Sequence, residues 1–588
     1  MVGHPWLRVA AYSMALLLLV AFCYWQAPGN DFHFDDRDNI IEHRPVHMEQ
    51  FSLAGLRTAW QQPFLSGRPL ASLTFAVDWW RGGGQPQPFQ WTNLFLHGIT
   101  ALAVFALLRL ALRSAGHRGA WPDAAAALGA ALWLAHPIQV QAVTYIVQRM
   151  ALMAALFTLL SVICYVRGRR AGRRGAGWFT LSLLAFAAGV SSKESAWITP
   201  ALWWLAEFGL LRPQGPLLRT ALDRTLFALP FALLLLLVLD FASGQGPLAQ
   251  RFLPGYEARS FTFAERLLTQ PRVLLLHVSQ FLWPLPQRFS VEHELVLSRG
   301  WMDPPVTLAA MAALFAWCLA GLAALWHARL RVAGFFMLWL PLTLAIESSV
   351  VPLEMIFEHR MYLPTAGLAG LVAIALAQVN ASRVRVAAVL AMLLALAGVS
   401  WSTQLRVPVW RSDLTLYADA LRHAPDSARA LSGHGQALLE AGRFAEAEPE
   451  LARAIALDPE AAEAMEKMAV ILLDRGDLAG ADRLLRRALE LRGGRHGILN
   501  HLGEIYMQTG NYALAREMFA QAALKAPKQP VYRWNLALAH ERVGACAAAK
   551  QEWLAYLQLD PQAEDRAQVE AHLREVHAPG SSRCAPVE

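Results

Sequence analysis

Cysteine is scarce in this chain. Five residues, Cys23, Cys164, Cys318, Cys546 and Cys584, are spread over 588 positions, and none shows the short spacing of a metal-binding pair. Three lie in apolar runs, where cysteine behaves as a small hydrophobe, while Cys546 and Cys584 are a candidate pair if the C-terminal half faces an oxidising compartment. Lysine is scarcer still: Lys193 is the only one in the first 405 residues. Acidic residues are thin there too, with 20 Asp and Glu against 30 Lys and Arg, whereas the remaining 183 residues hold 25 against 22. The basic excess thus belongs to the apolar half, where it needs no nucleic-acid partner to explain it. A convincing small-x-small cleavage site is missing after the first apolar run (Trp6 to Trp25), which excludes a simple signal peptide and reads as a retained first helix.

Long apolar runs are what the chain has in quantity. Hydrophobic residues make up 55% of it and the mean hydropathy is +0.31. Candidate spanning helices lie near 6–26, 91–112, 120–138, 142–166, 177–192, 195–211, 220–240, 305–327, 332–351, 362–379 and 385–402. Arginine-rich loops such as RGRRAGRR (Arg167 to Arg174) fall on one side if the N-terminus is cytoplasmic. Arg266 to Pro286 spoils the alternation unless it is re-entrant or lies at the outer interface. That choice leaves about eleven spans and an external C-terminal half. The Arg- and Ala-heavy composition suggests a bacterial inner membrane, with the C-terminal half periplasmic.

On this topology the non-cytoplasmic face collects ionisable groups from distant segments. They include Asp35 and Asp36 in NDFHFDDRDN, the turn HPIQVQ (His136 to Gln141), SSKES (Ser191 to Ser195) and EMIFEHRMY (Glu354 to Tyr362). Charges at membrane depth are expensive and usually line a polar cavity. A capping role for the Asp pair is the bland alternative, since Asp favours helix starts. Lys193 reads otherwise as an interfacial anchor with Glu194 beside it, and Arg360 as the partner of Glu358 or Glu354.

The second half changes character. Glycines recur every 34 residues at Gly442, Gly476, Gly510 and Gly544, and small residues at Ala447, Ala481, Ala515 and Ala549. Prolines follow at Pro459, Pro527 and Pro561. The period is that of the tetratricopeptide repeat, four copies over 428–563, an array whose concave face commonly holds a peptide or protein. Residues 406–427 form a half-repeat connector and 564–588 a C-terminal helix and tail.

The order of motifs FHFDDRDNI, SGRPLASLTF, FQWTNLFLHGITAL, AHPIQVQAVTYIVQRMALMAALF, GVSSKESA and FEHRMYLP, followed by repeats, resembles the transmembrane and tetratricopeptide-repeat O-mannosyltransferases of the GT-C class. The resemblance implies an all-α fold: a GT-C-like transmembrane helix bundle over 1–405, then a tetratricopeptide-repeat α-solenoid. Within the bundle it implies an external catalytic loop over 27–90 and an external or re-entrant segment over 241–304. It further implies inverting transfer of a sugar from a polyprenyl-phosphate donor to a hydroxyl of a protein or peptide acceptor held by the repeats. A hydroxyl nucleophile gains from a carboxylate that takes its proton, which makes Asp35 or Asp36 the candidate base. The leaving phosphate needs cations, which makes Arg360, Lys193 and Arg149 its candidate ligands. Glu194, Glu358, His359, Tyr362, His136 and Arg68 are further cavity candidates. One departure is Gln141, near which the family often has an acid. No cofactor is expected; a metal held by His136, His359, Asp35 and Asp36 is the alternative, which no spacing supports. A repeat scaffold for envelope or pilus assembly, anchored in the bilayer and without catalysis, is the competing reading; it needs neither so many spans nor the gathered charges.

Overall fold

The computed structural model describes residues 5–65, 67–212, 221–257, 259–492, 495–560 and 563–576. Among these residues the chain forms helices and turns, with one isolated bridge between Gly300 and Asp303. It divides into two compact units, Met1–Leu416 and Tyr417–Glu588. The Cys546–Cys584 pairing lies outside the described residues.

The first unit opens with α1 (Pro5–Tyr24), a polar loop, α2 (Leu53–Gln61), α3 (Pro69–Gly82), α4 (Pro86–Ser114) and α5 (Ala120–Ala135). There follow α6 (Val140–Thr144), α7 (Arg149–Ala171), α8 (Ala176–Val190), α9 (Thr199–Ala206), α10 (Ala221–Ser243) and α11 (Pro247–Phe252). The unit is completed by α12 (Phe263–Leu282), α13 (Val306–Trp326), α14 (Arg331–Leu344), α15 (Thr365–Ala377), α16 (Ser382–Arg406) and the start of α17 (Asp413–His423). Each of the eleven expected segments is helical.

By length and composition they fall into two groups. Among the described residues, six stretches are long and apolar enough to cross a membrane: Pro5–Gly29, Pro86–Ser114, Ile146–Arg174, Asp223–Ser243, Val306–Trp326 and Ser382–Arg411. A seventh counts if α5 and the bent stretch after it, Pro137–Thr144, are one span with a 53° break. Helices α8, α14 and α15 are apolar but shorter, and α9 has eight residues. The chain is a multi-pass membrane protein with six or seven full-length spans, because polar turns at Ser191–Lys193 and after Leu344 cut the others short.

Helix α12, which takes up the segment that begins at Arg266 as far as Leu282, is not one of these spans. A Thr262–Glu265 capping box starts it. Its polar flank, Arg266, Thr269, Gln270, His277 and Gln280, is buried, while Leu267, Leu275 and Leu282 are exposed. That flank grips the turn after α14. Arg266 Nη2 donates to the Glu347 carbonyl at 2.7 Å and Nε to the Ser349 carbonyl at 3.2 Å, and Gln270 reaches the Met355 carbonyl at 3.0 Å.

The second unit continues α17 and adds α18 (Ala428–Glu440), α19 (Phe444–Leu457), α20 (Ala462–Asp474), α21 (Leu478–Arg492), α22 (His496–Gln508), α23 (Tyr512–Lys525), α24 (Pro530–Arg542), α25 (Cys546–Leu559) and α26 (Arg566–Val576). The 34-residue period has a direct cause. Gly442, Gly476, Gly510 and Gly544 all have φ between 73° and 79°, the left-handed turn that closes the first helix of each pair. Ala447, Ala481, Ala515 and Ala549 are fully buried where the paired helices meet.

Candidate active site

The acidic loop after α1 folds back onto the start of α7. Phe34 has φ of +45°, a conformation that side chains with a Cβ rarely adopt, and the two aspartates that follow part company. Asp36 is fully buried. Its Oδ2 accepts the His33 N–H at 2.9 Å and its Oδ1 the Val147 N–H at 2.6 Å, so it ties its own loop to the turn Ile146–Gln148 that leads into α7. Burial raises its carboxyl to about 7, against the pull of the His33 and Val147 amides. Asp36 does not cap its own short helix, Arg37–Ile41.

Asp35 is exposed. Its N–H donates to the Tyr145 hydroxyl at 3.0 Å and its carbonyl accepts from Asn39, so the main chain is fixed while the residue keeps solvent exposure. Partial burial raises the carboxyl above its ordinary value, and the Tyr145 hydroxyl and the Arg68 charge oppose that rise.

Arg68 precedes α3 and forks onto Glu194, with Nη2 2.7 Å from Oε2 and Nε 3.1 Å from Oε1. Next to Glu194, Lys193 is buried and places Nζ 2.5 Å from Glu347 Oε1. Burial pushes the Glu347 carboxyl up, but Lys193 and Arg360 outweigh it and hold it below the usual range; Arg68 adds to the same effect. Arg68 therefore acts on both Asp35 and Glu347.

Arg360 and His359 stand in the turn Glu358–Met361. The Arg360 guanidinium lies 5.5 Å from the Phe357 ring, touches the Met355 carbonyl at 3.4 Å and has no carboxylate within ion-pair distance among the described residues. Glu354 pairs instead with Arg259 at 2.6 Å, and Glu358 accepts the Ser290 N–H at 2.9 Å. Burial lowers the Arg360 guanidinium to about 10. His359 Nδ1 is buried without a hydrogen-bond partner, and burial together with Lys193 and Arg360 holds the ring neutral. Lys193, Ser195, Glu347, His359, Arg360 and Tyr362 line a cavity of about 20 Å³, room for about one water.

The structure brings Asp35, Arg68, Glu194, Lys193, His359, Arg360 and Tyr362 to one end of the bundle. Three other candidates are engaged by protein groups instead. Arg149 is fully buried, with Nη2 2.6 Å from Asp78 Oδ2 and 2.8 Å from the Phe89 carbonyl, and Nε 2.8 Å from Asn93 Oδ1. Phe75 and Phe89 cover its planar faces at 4.9 and 5.6 Å. His136 stacks on Phe281, accepts the Ile138 N–H at its Nδ1 and donates to the Phe281 carbonyl from its Nε2. Glu358 points toward Ser290 and His293. Gln141, the departure noted in the sequence, accepts the His359 N–H at 2.8 Å, a bond an amide oxygen makes as well as a carboxylate does.

Sequence reasoning missed Glu347, Tyr145 and His33. Glu347 was legible as the one acid in the apolar run 332–351, where a charge must find a partner. The other two carried no local signal.

Among known proteins, a tetratricopeptide-repeat family model matches residues 472–539, and another matches 414–454 and 432–496. The chain is 30% identical over 207 residues to protein O-mannosyl-transferase TMTC4 of Homo sapiens, covering 32% of this chain and 27% of that one. It is 31% identical over 287 residues to protein O-mannosyl-transferase Tmtc2 of Drosophila melanogaster, covering 43% of this chain and 28% of that one. The chain resembles the protein O-mannosyl-transferases. It spans about a quarter of the length of these relatives, and its second half carries tetratricopeptide repeats. A crystal structure of MamA is 21% identical, covering 25% of this chain and 87% of that one, with a TM-score of 0.23.

Proposed function

We propose that this protein is a membrane glycosyltransferase that moves a sugar, with inversion, from a polyprenyl-phosphate donor to a hydroxyl of a protein acceptor on the non-cytoplasmic face. The observation that carries the reading is the company Asp35 keeps. It is an exposed residue whose main chain is pinned by Tyr145 and Asn39, within the influence of Arg68, at the end of the bundle where Lys193 and Arg360 meet. The resemblance to protein O-mannosyl-transferases supports the same class of chemistry.

In this reading Asp35 takes the proton of the attacking hydroxyl, the hydroxyl oxygen bonds to the sugar's anomeric carbon, and the bond from that carbon to the phosphate oxygen breaks. The phosphate leaves with the electron pair. Arg360, with no carboxylate of its own, and Lys193 hold it, because cations stabilise charge that develops as the bond breaks. Asp36 keeps the loop in place and Arg149 keeps α3, α4 and α7 together; neither touches the reacting atoms. The repeats recruit the acceptor. In a bacterial inner membrane the site and repeats face the periplasm.

The test is transfer of radiolabelled mannose from polyprenyl-phosphate mannose to exported proteins by the full chain in lipid nanodiscs. Transfer by the unaltered protein and none by Asp35→Asn is expected. Equal transfer by both removes the proposed base.

A further inference from the structure

The loop that carries Asp35 is clamped to the segment that leads into the repeats, across more than 370 residues of chain. Asn30 Nδ2 donates to the Val407 carbonyl at 3.1 Å. The His33 ring lies between two groups of that segment, with Nδ1 2.5 Å from Asp413 Oδ1 and Nε2 2.7 Å from the Trp410 carbonyl. Arg37 reaches the other Asp413 oxygen at 3.3 Å. Trp410, itself buried, meets the rings of His33, Phe34 and Tyr145 at 5.6, 6.4 and 5.6 Å.

The chemistry of these partners fixes the state of the ring. A carbonyl and a carboxylate only accept hydrogen bonds, so each imidazole nitrogen must carry a hydrogen. A neutral ring would turn a lone pair toward one of the two oxygens, in a place where the side chain is fully buried and water cannot intervene. The titratable and charged groups around the ring are Asp413, Arg37 on the far oxygen of Asp413, and Asp36, which ionises near 7 and whose Oδ2 accepts the His33 backbone N–H. Tyr145 and Trp410 bring no charge.

Position gives the clamp its consequence. His33 stands two residues before Asp35, and between them Phe34 is held at φ +45°. Such a conformation persists only where the surroundings fix it from both sides. The Asp36 bonds to two amides fix one side. The His33 clamp fixes the other.

We propose that His33, held as a cation between Asp413 and the Trp410 carbonyl, is a positioning residue for Asp35, and that the connector 407–413 is a working part of the site rather than a tether to the repeats. The role of Asp35 as base rests on the function proposed above; the clamp does not. Burial would lower the imidazole, yet the hydrogen bond and charge of Asp413 outweigh it and hold it above its ordinary value of 6.5. A raised value means that the clamp's contribution is complete below that ordinary value and is lost as pH rises through the higher, folded one.

The experiment is hydrogen exchange, read by mass spectrometry, on the full chain in lipid nanodiscs from roughly pH 6 to pH 9, where an imidazole with a raised pKa titrates. With intrinsic rates divided out, protection of residues 30–41 should fall across the alkaline part of that range in the unaltered protein, beyond the ionisation of Asp36 near 7, which by itself tightens the loop. Asp413→Asn keeps an acceptor oxygen but drops the charge, so the loss should move to lower pH, with roughly tenfold faster exchange near neutrality. Asp413→Glu should restore part of the protection. Protection that is flat with pH in the unaltered protein overturns the proposal, as does an Asp413→Asn profile that overlays it. Should Asp413→Asn fail to fold, the unaltered protein's own profile still decides. In a second arm, the alkaline limb of kcat for sugar transfer should move with the exchange profile while KM for the donor stays put. A shifted exchange profile in a protein that transfers no sugar supports the clamp and removes the transferase reading.

Discussion

Lys193 Nζ and Glu347 Oε1 lie 2.5 Å apart, although 154 residues of chain separate them. Both side chains are close to fully enclosed. In the proposed site, donor phosphate competes with this carboxylate for the ammonium. Lys193→Ala should raise KM for the donor by roughly ten- to a hundredfold, the worth of a charge-assisted hydrogen bond. Glu347→Gln should do the reverse: lower KM, a less stable empty protein, and a larger melting shift on adding polyprenyl phosphate. Donor titrations and thermal unfolding check both; a raised KM in Glu347→Gln removes the competition.

The two aspartates should separate on substitution. Asp35→Asn is expected to leave expression and melting unchanged while transfer is lost. Asp36→Asn should cost stability, about 1–3 kcal/mol, because its amide NH₂ would face a backbone N–H that now donates to the carboxylate. Thermal melts beside transfer assays distinguish the outcomes.

The pH profile of transfer follows from the Asp35 carboxyl. A base must be ionised, and its value is raised above the ordinary 3.8. The rate should therefore fall as pH drops through that higher value, and the acid limb should move further up in Arg68→Ala, which removes a cation that favours the charged form.

Arg149 offers a contrast with Lys193. Breaking its buried pair with Asp78 by Arg149→Met should cost about 3–5 kcal/mol, since it strands a buried carboxylate. Molecules that still fold should keep KM for the donor within about twofold, as expected of a group whose donors are engaged by the protein. A selective rise in KM would move Arg149 into the donor site.

Deleting residues 428–588 should lower modification of protein acceptors more than cleavage of the lipid-linked donor. Equal loss of both means that the second unit supports folding instead of recruiting acceptors.

The sequence made the helices legible because bilayer and solenoid each impose a strong period: apolar runs in one half, and glycines at left-handed turns in the other. It also showed which motifs carry charge, since an ionisable residue in an apolar chain is conspicuous. What it could not show was partnership. Asp35 and Asp36 are neighbours in sequence with different fates, decided by a His33 amide and a Val147 amide that no local pattern announces. Arg149 was legible as a cation that reaches the cavity or neutralises an acid, but the acid, Asp78, sits in another motif. Helix lengths were hidden for a similar reason, as α8 and α14 end at polar turns that a hydropathy window averages away.

Helix α12 wears its greasy side outward and its hydrophilic side inward, the reverse of a helix on a water-soluble protein. Its orientation is set from within by the carbonyls of Glu347 and Ser349, which take the Arg266 guanidinium. Replacing an outward leucine such as Leu267 with aspartate, harmless on most soluble surfaces, should here loosen the very turn that holds Glu347. Comparing Leu267→Asp in detergent and in lipid nanodiscs shows whether the bilayer has a share in holding that turn.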